Sequence, residues 1–192
     1  MEDMKSDSLA VAVHRNNDGA IERLVRVHQD ALFSYALRLL RDRFEAEEVT
    51  QDAFLRAIRA LTTQYDEEKC TQLALKPWLY RITRNLAYNR RKARRPVHDV
   101  QSGSCEGAET EQTAWPVADR ALEQDERFQM VDRALAGLSA EARDLILLRF
   151  MEEMSYAEIA EASGLGESSV RGKVFRALRA LRKTLERMEG AQ

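Results

Sequence analysis

The chain has 192 residues, of which 44% are hydrophobic and 32% charged, and its formal net charge is −2. That length suits two small domains better than one compact domain. Glycine and proline are scarce while Leu, Ala, Arg and Glu are abundant, which predicts an all-helical fold. No apolar run is long enough to span a bilayer, and the N-terminus lacks the apolar core of a signal peptide. We therefore expect a cytoplasmic protein without membrane insertion.

The charged residues are segregated along the chain. Two Lys and six Arg side chains, and no Asp or Glu, occur in residues 76–95. Residues 101–126 then contain seven acidic side chains and one arginine, and residues 171–183 are basic again. Two basic segments on either side of an acidic one indicate two contacts with a single polyanion.

Prolines and composition divide the chain into two predicted helical domains. Pro77 suits the first turn of a helix, and Pro96 ends it. A following stretch rich in Gly, Ser, Thr, Gln and Glu lacks helical periodicity, which predicts a flexible linker. The predicted divisions are a flexible N-terminus at 1–14, a first domain at 15–96, a linker at 97–118 and a second domain at 119–188.

The first domain is predicted to begin with two amphipathic helices. Apolar residues recur at three- and four-residue spacing within 21–39 and again within 49–61. The periodicity breaks in residues 62–76, which predicts a loop containing Cys70. Cys70 and the distant Cys105 match no metal-ligand spacing, so we expect no metal and no cofactor.

Acidic residues share an outward face on the second of these helices. Glu48 and Asp52 stand one turn apart, as do Glu47 and Gln51. An acidic face does not bind a polyanion. It is either a solubilising surface or a docking face for a basic partner helix.

Residues 78–95 predict an amphipathic helix with a cationic stripe opposite its core stripe of Leu79, Ile82, Leu86 and Ala93. The cationic stripe consists of Arg81, Arg84, Tyr88, Arg91 and Arg95. Positive charge beside an aromatic ring suits a nucleic-acid backbone with an exposed base. Trp78 is either a core residue or a stacking platform. The charge alone is equally compatible with an acidic protein partner.

The second domain contains a predicted helix-turn-helix. Ser155 and Glu158 form a capping box at the start of one helix. Gly164 ends that helix, Leu165 fills the corner, and a second helix starts at about Gly166. This order of small, glycine and apolar positions is typical of a DNA-binding motif.

The second helix of the motif has the division of faces that a recognition helix needs. Apolar residues within 170–185 form a stripe that packs on the domain. The opposite face and its flanks hold Ser168, Ser169, Arg171, Gly172, Lys173, Phe175, Arg176, Arg179 and Lys183. Such a face enters the major groove, where arginines bridge guanine O6 and N7 and other cations neutralise phosphates. The alternative is a solvated charged helix.

Three segments, in this order, resemble bacterial sigma factors, the promoter-specificity subunits of RNA polymerase. Residues 45–55 resemble the conserved helix of region two, and residues 78–85 resemble the promoter-melting and recognition helix. Residues 138–185 resemble region four. The resemblance covers nearly the whole chain except the termini and the linker. The absence of further domains points to the extracytoplasmic-function (ECF) group of the sigma-70 family.

The resemblance implies an all-α protein with a region 2 domain, a region 4 domain and several partners. Glu48, Gln51 and Asp52, with Glu47 beside them, correspond to positions that grip the coiled coil of the largest polymerase subunit. The flap of core RNA polymerase, promoter DNA and an anti-sigma factor are the other implied partners.

The resemblance also implies the DNA-contacting residues. For the minus-ten element they are Trp78, Arg81, Arg84, Asn85, Tyr88, Arg91 and Arg95. For the minus-thirty-five element they are Arg149, Arg171, Gly172, Phe175 and Arg176, with Arg149 reaching a phosphate. Ser168, Ser169, Lys173 and Arg179 complete that surface. The chain departs from the family at Gly172, where a side chain is usual, and at residues 73–77, which lack the usual aromatics, so the loop that captures a flipped base is not assigned.

Two other functions are compatible with parts of the sequence. A stand-alone helix-turn-helix regulator that binds operator DNA as a dimer would explain the second domain only. A sigma-mimicking decoy that binds an anti-sigma factor would need neither basic face. An enzyme is not indicated, because the sequence has no nucleophile–base set, phosphate loop or metal cluster, and we expect no small-molecule substrate.

Overall fold

A computed structural model describes residues 6–94 and 126–189 of the chain. Arg95 and the predicted linker lie outside the described residues. Within these two ranges every regular element is helical, in agreement with the predicted fold class. In the same ranges no helix is long and apolar enough to cross a membrane.

The first domain is built from helices α1 to α5. Their bounds are α1 (Ser6–His14), α2 (Ala20–Leu40), α3 (Arg43–Arg59), α4 (Glu67–Gln72) and α5 (Leu75–Arg94). The prediction of a flexible N-terminus at 1–14 is wrong from Ser6 onward, because α1 buries Ala10 and Val13 in the core of this domain. A π-helical turn, Ala60–Gln64, extends α3. The core lies where α2, α3 and α5 pack together, and it contains Leu24, Leu32, Tyr35, Val49, Ala53, Leu79 and Tyr80.

Local signals explain where these helices begin and end. Arg41 ends α2 in the left-handed conformation, with φ 57°, and its backbone N–H donates to the carbonyl of Leu37. The Asp42 side chain then accepts a hydrogen bond from the backbone N–H of Glu45 at 3.0 Å, which caps the start of α3. The sharp turn between the two caps makes α2 and α3 neighbours.

The prediction of a loop at residues 62–76 is wrong for much of this range, where the structure is helical. The side chain of Asp66 accepts from the backbone N–H of Lys69 at 2.8 Å, and this cap starts the short helix α4. Glu67 and Glu68 in its first turn favour the same helix start. Cys70 lies in α4 as a buried free thiol and not in an exposed loop.

In residues 126–189, the part of the second domain that the structure describes, there are four helices. They are α6 (Glu126–Ala136), α7 (Ala140–Ile146), α8 (Tyr156–Ser163) and α9 (Glu167–Glu189), with a π-helical turn, Leu147–Met151, after α7. Arg143 is buried, and its guanidinium donates to the carbonyls of Leu135 and Ala136, both at 2.9 Å. These bonds satisfy carbonyls at the end of α6 that have no partner in the helix. Burial lowers the pKa of Arg143 to about 10.

The helix-turn-helix forms as predicted. The Ser155 hydroxyl accepts from the backbone N–H of Glu158 at 3.2 Å, and the Glu158 carboxylate accepts from the backbone N–H of Ser155 at 2.8 Å. Gly164 ends α8 with φ 73°, and its N–H donates to the carbonyl of Ala160. The turn therefore depends on a left-handed residue at position 164.

The substitution Gly164→Ala should lower the free energy of unfolding of the second domain by about 1 kcal/mol, since a Cβ is unfavourable in the left-handed conformation. No atom lies within 4 Å of the added Cβ, so the cost comes from the backbone and not from a clash. Urea unfolding measures the change. Gly166→Ala is the matched control, because Gly166 has similar open space and no positive φ.

The two domains pack against each other. Helix α5 of the first domain lies against α8 of the second, and α2 approaches α7. The polar side chains at this contact include several predicted DNA-binding residues.

Candidate polymerase and DNA interfaces

Helix α3 carries the predicted acidic face. Glu48, Gln51 and Asp52 are exposed, whereas Glu47 is half-buried and accepts from Nε of Arg43 at 2.9 Å. Glu48 also accepts from Nη2 of Arg90 at 2.8 Å. Exposed ion pairs of this kind contribute little to stability, so a partner with several cations can displace them.

Two exposed apolar side chains on α3 lie near the acidic face and were not predicted from the sequence. Leu55 is 66% exposed and lies about one turn beyond Gln51 and Asp52, and Phe44 is 79% exposed at the start of the helix. Large apolar side chains beside a charged face are typical of protein interfaces. The four-residue step from Gln51 to Leu55 was the available signal, because residues one turn apart lie on the same face of a helix.

Helix α5 divides the predicted minus-ten residues into two groups. Arg81 and Asn85 are exposed, while Arg84 and Tyr88 are half-buried against the second domain. The stripe predicted as one continuous cationic face is therefore split by a tertiary contact. Arg91 is half-buried as well.

Trp78 is half-buried near the start of α5. Its ring lies beside that of Tyr65, with the centroids 5.6 Å apart, and Lys69 Nζ lies 3.8 Å from the Tyr65 ring centroid. The tryptophan therefore packs at the edge of the core while part of its surface remains accessible. The sequence left open whether Trp78 is a core residue or a stacking platform, and its half-buried position is compatible with both.

The domain contact uses a polar stripe of α5 at four-residue steps, Lys76, Tyr80, Arg84 and Tyr88. Lys76 Nζ donates to the backbone carbonyl of Glu152 at 2.6 Å, and the Tyr80 hydroxyl donates to the Glu152 carboxylate. Burial is the main cause that raises the pKa of Tyr80, so the hydroxyl stays protonated and donates. Glu152 of the second domain thus accepts hydrogen bonds from α5 with both its backbone carbonyl and its side-chain carboxylate.

Asp144 of α7 is the centre of the contact, and its side chain is 0% exposed. Its carboxylate accepts from Nε of Arg84 at 2.5 Å and from the hydroxyl of Tyr88 at 3.3 Å. The hydroxyl of Tyr35 in α2 donates to it as well, at 2.5 Å. Burial raises the pKa of the Asp144 carboxyl, and the hydrogen bonds from Arg84, Tyr35 and Tyr88 oppose that shift.

The recognition helix α9 presents most of its predicted DNA-binding residues to solvent. Phe175 is 69% exposed, and Arg171, Arg176 and Arg179 are exposed around it. Ser168 and Ser169 are exposed in the first turn. The opposite face is buried through Val170, Val174 and Ala177. This division matches the predicted wheel except at Leu178, which was predicted to pack on the domain and is 36% exposed.

Two positions of α9 differ from the rest of the predicted surface. Lys173 is half-buried, and its Nζ donates to the Glu141 carboxylate of α7 at 2.8 and 2.9 Å. Gly172 is half-buried, and a Cβ there would meet only Nη1 of Arg176, at 3.6 Å. That distance is an ordinary contact, so nothing within the domain requires glycine at 172.

Tyr156 holds two predicted DNA-binding arginines, and the sequence analysis did not single it out for this role. The guanidinium of Arg149 lies 5.2 Å from its ring centroid and that of Arg171 lies 5.1 Å from it. Arg149 also donates from Nη1 to the carbonyl of Met154 at 3.0 Å. Cation–π contacts of this kind orient both side chains. An aromatic residue directly after the capping serine was the available signal.

Two family models match the chain. The model described as Sigma-70 region 2 matches residues 24–96, and the model described as Sigma-70, region 4 matches residues 128–181. Each of the two domains is therefore matched by one family model. A stand-alone helix-turn-helix regulator explains only the second match.

Solved structures share the fold across both domains. The structure of CnrH in complex with the cytosolic domain of CnrY has a TM-score of 0.68 and 25% identity, and the match covers 94% of this chain and 96% of CnrH. The sigma factor RpoE of Bartonella quintana, solved with the anti-sigma factor NepR, has a TM-score of 0.63 and 22% identity. That match covers 88% of this chain and 98% of RpoE.

Curated relatives match over most of their own length. RNA polymerase sigma-H factor of Pseudomonas aeruginosa is 30% identical over 187 residues, which cover 95% of this chain and 94% of the relative. The ECF RNA polymerase sigma factor SigL of Mycobacterium tuberculosis is 33% identical over 161 residues, which cover 84% of this chain and 86% of SigL. With both region models matched as well, the chain belongs to the ECF group of the sigma-70 family of RNA polymerase sigma factors.

Proposed function

We propose that this chain binds core RNA polymerase through the acidic face of α3 and directs the enzyme to promoters. Glu48, Gln51 and Asp52 lie exposed on one face, and Leu55 extends that face with apolar surface. Charged groups around an apolar contact give an interface both specificity and affinity. Glu47 contributes at the edge, where Arg43 now pairs with it. The coiled coil of the largest polymerase subunit is the proposed partner of this face, and the flap is the proposed partner of the second domain.

Helix α9 would read the minus-thirty-five element. Arg171 and Arg176 flank the exposed Phe175, and exposed arginines on a recognition helix reach guanine edges in the major groove. Arg149 is proposed to contact a phosphate while Tyr156 fixes its direction. Ser168, Ser169, Gly172 and Arg179 complete this surface, and Lys173 joins it only by leaving Glu141.

Helix α5 would recognise and hold the opened minus-ten element. Arg81 and Asn85 are accessible to DNA, and Trp78 offers part of an aromatic surface. Arg84, Tyr88 and Arg91 belong to the same proposed DNA surface, as does Arg95, which lies outside the described residues. Unpaired bases stack on aromatic rings while cationic side chains neutralise the nucleic-acid backbone. Together these contacts hold a single strand without reading its base sequence.

The chain itself performs no reaction in this proposal. Sigma factors are DNA-binding specificity subunits, so RNA synthesis is carried out by the polymerase. Such a subunit acts where the polymerase acts, in the cytoplasm. We also propose regulation by an anti-sigma factor, which is supported by the Bartonella quintana RpoE structure with its anti-sigma factor.

The observation that carries the proposal is the separation of charge between two exposed surfaces. The face of α3 is acidic, whereas residues 171–183 of α9 contain no Asp or Glu. The acidic surface therefore suits a protein partner, and the basic surface suits a nucleic acid.

The experiment is reconstituted initiation. Purified chain is added to core RNA polymerase on a genomic library of fragmented DNA, and transcript 5′ ends are mapped. New start sites that share an upstream element are expected, with core enzyme alone as the control. An unchanged distribution of start sites would overturn the proposal.

A further inference from the structure

The C-terminal end of α2 carries an arginine in a strained backbone conformation. Arg41 has φ 57°, in the left-handed region that is unfavourable for a residue with a Cβ. A glycine there could make the same backbone hydrogen bond to Leu37 without this cost. Because strain of this kind is found where a side chain has a function, Arg41 points to a role beyond ending the helix.

Arg41 lies in a group of arginines from three helices. Arg38 precedes it by one turn on α2 and Arg91 belongs to α5, and all three residues are half-buried. Arg143 of α7 is buried. Burial lowers the pKa of Arg41, and the positive charge of Arg91 lowers it further. The pKa of Arg143 is lowered by burial and then by Arg41 and Arg91, so the charges of these cations act on one another.

The described residues do not neutralise this positive charge. In residues 6–94 and 126–189, the acidic neighbour of Arg38 and Arg41 is Asp132 of α6. Burial raises the pKa of the Asp132 carboxyl, and the charges of Arg38 and Arg41 oppose that shift. One carboxylate is set against the three half-buried guanidiniums, so the group keeps a net positive charge.

Several N–H groups of these arginines are buried without an acceptor. Among the residues that the structure describes, they belong to Nε of Arg38, Nε and Nη2 of Arg41, and Nη1 of Arg91. A buried donor without a partner is unfavourable, and more so when it is charged. The negative end of the α2 dipole attracts cations to Arg38 and Arg41, but it leaves these four nitrogens unpaired. The group therefore lacks both negative charge and acceptor oxygens.

We propose that Arg38, Arg41 and Arg91 form a binding site for a small phosphate dianion. A phosphate supplies the missing charge, and its oxygens accept several hydrogen bonds in a geometry that guanidinium N–H groups match. The three residues are half-buried, so the site is recessed but keeps an opening to solvent. A phosphodiester in duplex DNA carries one charge and flanking sugars, which suit a recessed site less well than a free dianion does.

This site goes beyond promoter recognition and does not depend on it. The resemblance to sigma factors assigns Arg91 to minus-ten DNA, and it assigns Arg38 and Arg41 to no ligand. The cluster therefore gives two arginines of α2 a role and gives Arg91 a second ligand.

Isothermal titration calorimetry of the full chain with inorganic phosphate tests the site, at an ionic strength fixed by chloride. Wild type is expected to bind phosphate saturably. Arg41→Gly and Arg38→Gln should each lower the affinity at least about tenfold, because each removes a guanidinium that donates to the anion. Absence of saturable binding by wild type would overturn the proposal.

The midpoint of thermal unfolding, Tm, separates ligand binding from a purely structural role of Arg41. In chloride buffer Arg41→Gly should raise the Tm of the chain, because it removes the backbone strain and one of the repelling cations. Phosphate should raise the Tm of wild type and leave that of the variant nearly unchanged, since a ligand stabilises only the state that binds it. A variant whose Tm responds to phosphate as wild type does would show that Arg41 is not part of such a site.

The matched control is Arg26→Gln, which removes one positive charge from an exposed position of the same helix, outside the group. Its phosphate affinity should equal that of wild type. An equal loss in this control and in Arg38→Gln would mean that phosphate responds only to the overall charge of the chain, and the proposed site would be wrong.

A competing duplex distinguishes a free anion from a nucleic-acid backbone. Duplex DNA of random sequence, with hydroxyl groups at all its ends, is added before the phosphate titration. The phosphate affinity of wild type should stay unchanged. If the duplex displaces phosphate, the arginines bind the DNA backbone and the proposal fails. None of these measurements uses polymerase or a promoter, so their outcome is separate from that of the initiation experiment.

Discussion

Replacing Arg171 and Arg176 together by alanine is expected to reduce affinity for promoter duplex about a hundredfold. Both guanidiniums are exposed on α9, on either side of Phe175, and each base contact by an arginine is worth about 1–3 kcal/mol. Fluorescence anisotropy at fixed salt, on a promoter obtained from reconstituted initiation, measures the loss. The same variant should lose its preference for the natural upstream element over a scrambled one.

The matched control for this pair is Arg182→Ala with Arg187→Ala. These residues lie on the same helix and the double change alters the net charge equally, but Arg182 pairs with Glu186 and both lie beyond the proposed DNA surface. The control should retain the preference for the natural element and lose only a modest sequence-independent component of affinity. Equal losses in the two double variants would mean that α9 contributes charge without reading bases.

Reversing the charge of Glu48 and Asp52 to lysine should weaken binding to core polymerase about a hundredfold or more, since like charges placed opposite each other cost several kcal/mol. Both residues are exposed, and the pair that Glu48 makes with Arg90 contributes little to the fold. Co-sedimentation or biolayer interferometry with core enzyme measures the change. Duplex DNA binding by the free chain should not decrease.

The matched control reverses Glu22 and Asp30 on α2. Both are exposed acidic residues of the same domain and lie outside the proposed docking face. If this control loses core binding to the same extent, the interaction depends on total charge and the acidic face of α3 is not the docking site.

The sequence was sufficient for features that depend on neighbouring residues. The capping box at Ser155, the turn at Gly164 and the exposed face around Arg176 all follow from residues within a few positions of each other. Helical periodicity also identified core residues such as Leu32 and Val49. Local hydrogen bonds and helical geometry determine these features, so a short window contains the information.

The sequence was insufficient where a side chain contacts an element that is distant along the chain. Arg81 and Arg84 are equally basic and lie on one predicted stripe, yet Arg84 faces Asp144, sixty residues away, while Arg81 faces solvent. Lys173 likewise belongs to the basic face of its helix but pairs with Glu141. Periodicity specifies the direction of a side chain around its own helix, and it does not specify which other element lies in that direction.

The helix at Cys70 illustrates a different limit. A six-residue segment is too short to show periodicity, and its polar composition resembles that of a loop. Asp66 followed by two glutamates was the informative signal, because a capping side chain and acidic first-turn residues favour a helix start at any length.

Site-specific photo-crosslinking in an initiating complex tests whether the acidic surface of α3 binds the polymerase while the basic helix α9 binds the promoter. A benzophenone side chain is placed at Gln51 in one preparation and at Phe175 in another, since both positions are exposed. We expect position 51 to cross-link to the largest polymerase subunit and position 175 to cross-link to DNA at the upstream element. Cross-links from position 51 to DNA, or none from it to the polymerase, would show that the acidic face of α3 does not bind the polymerase.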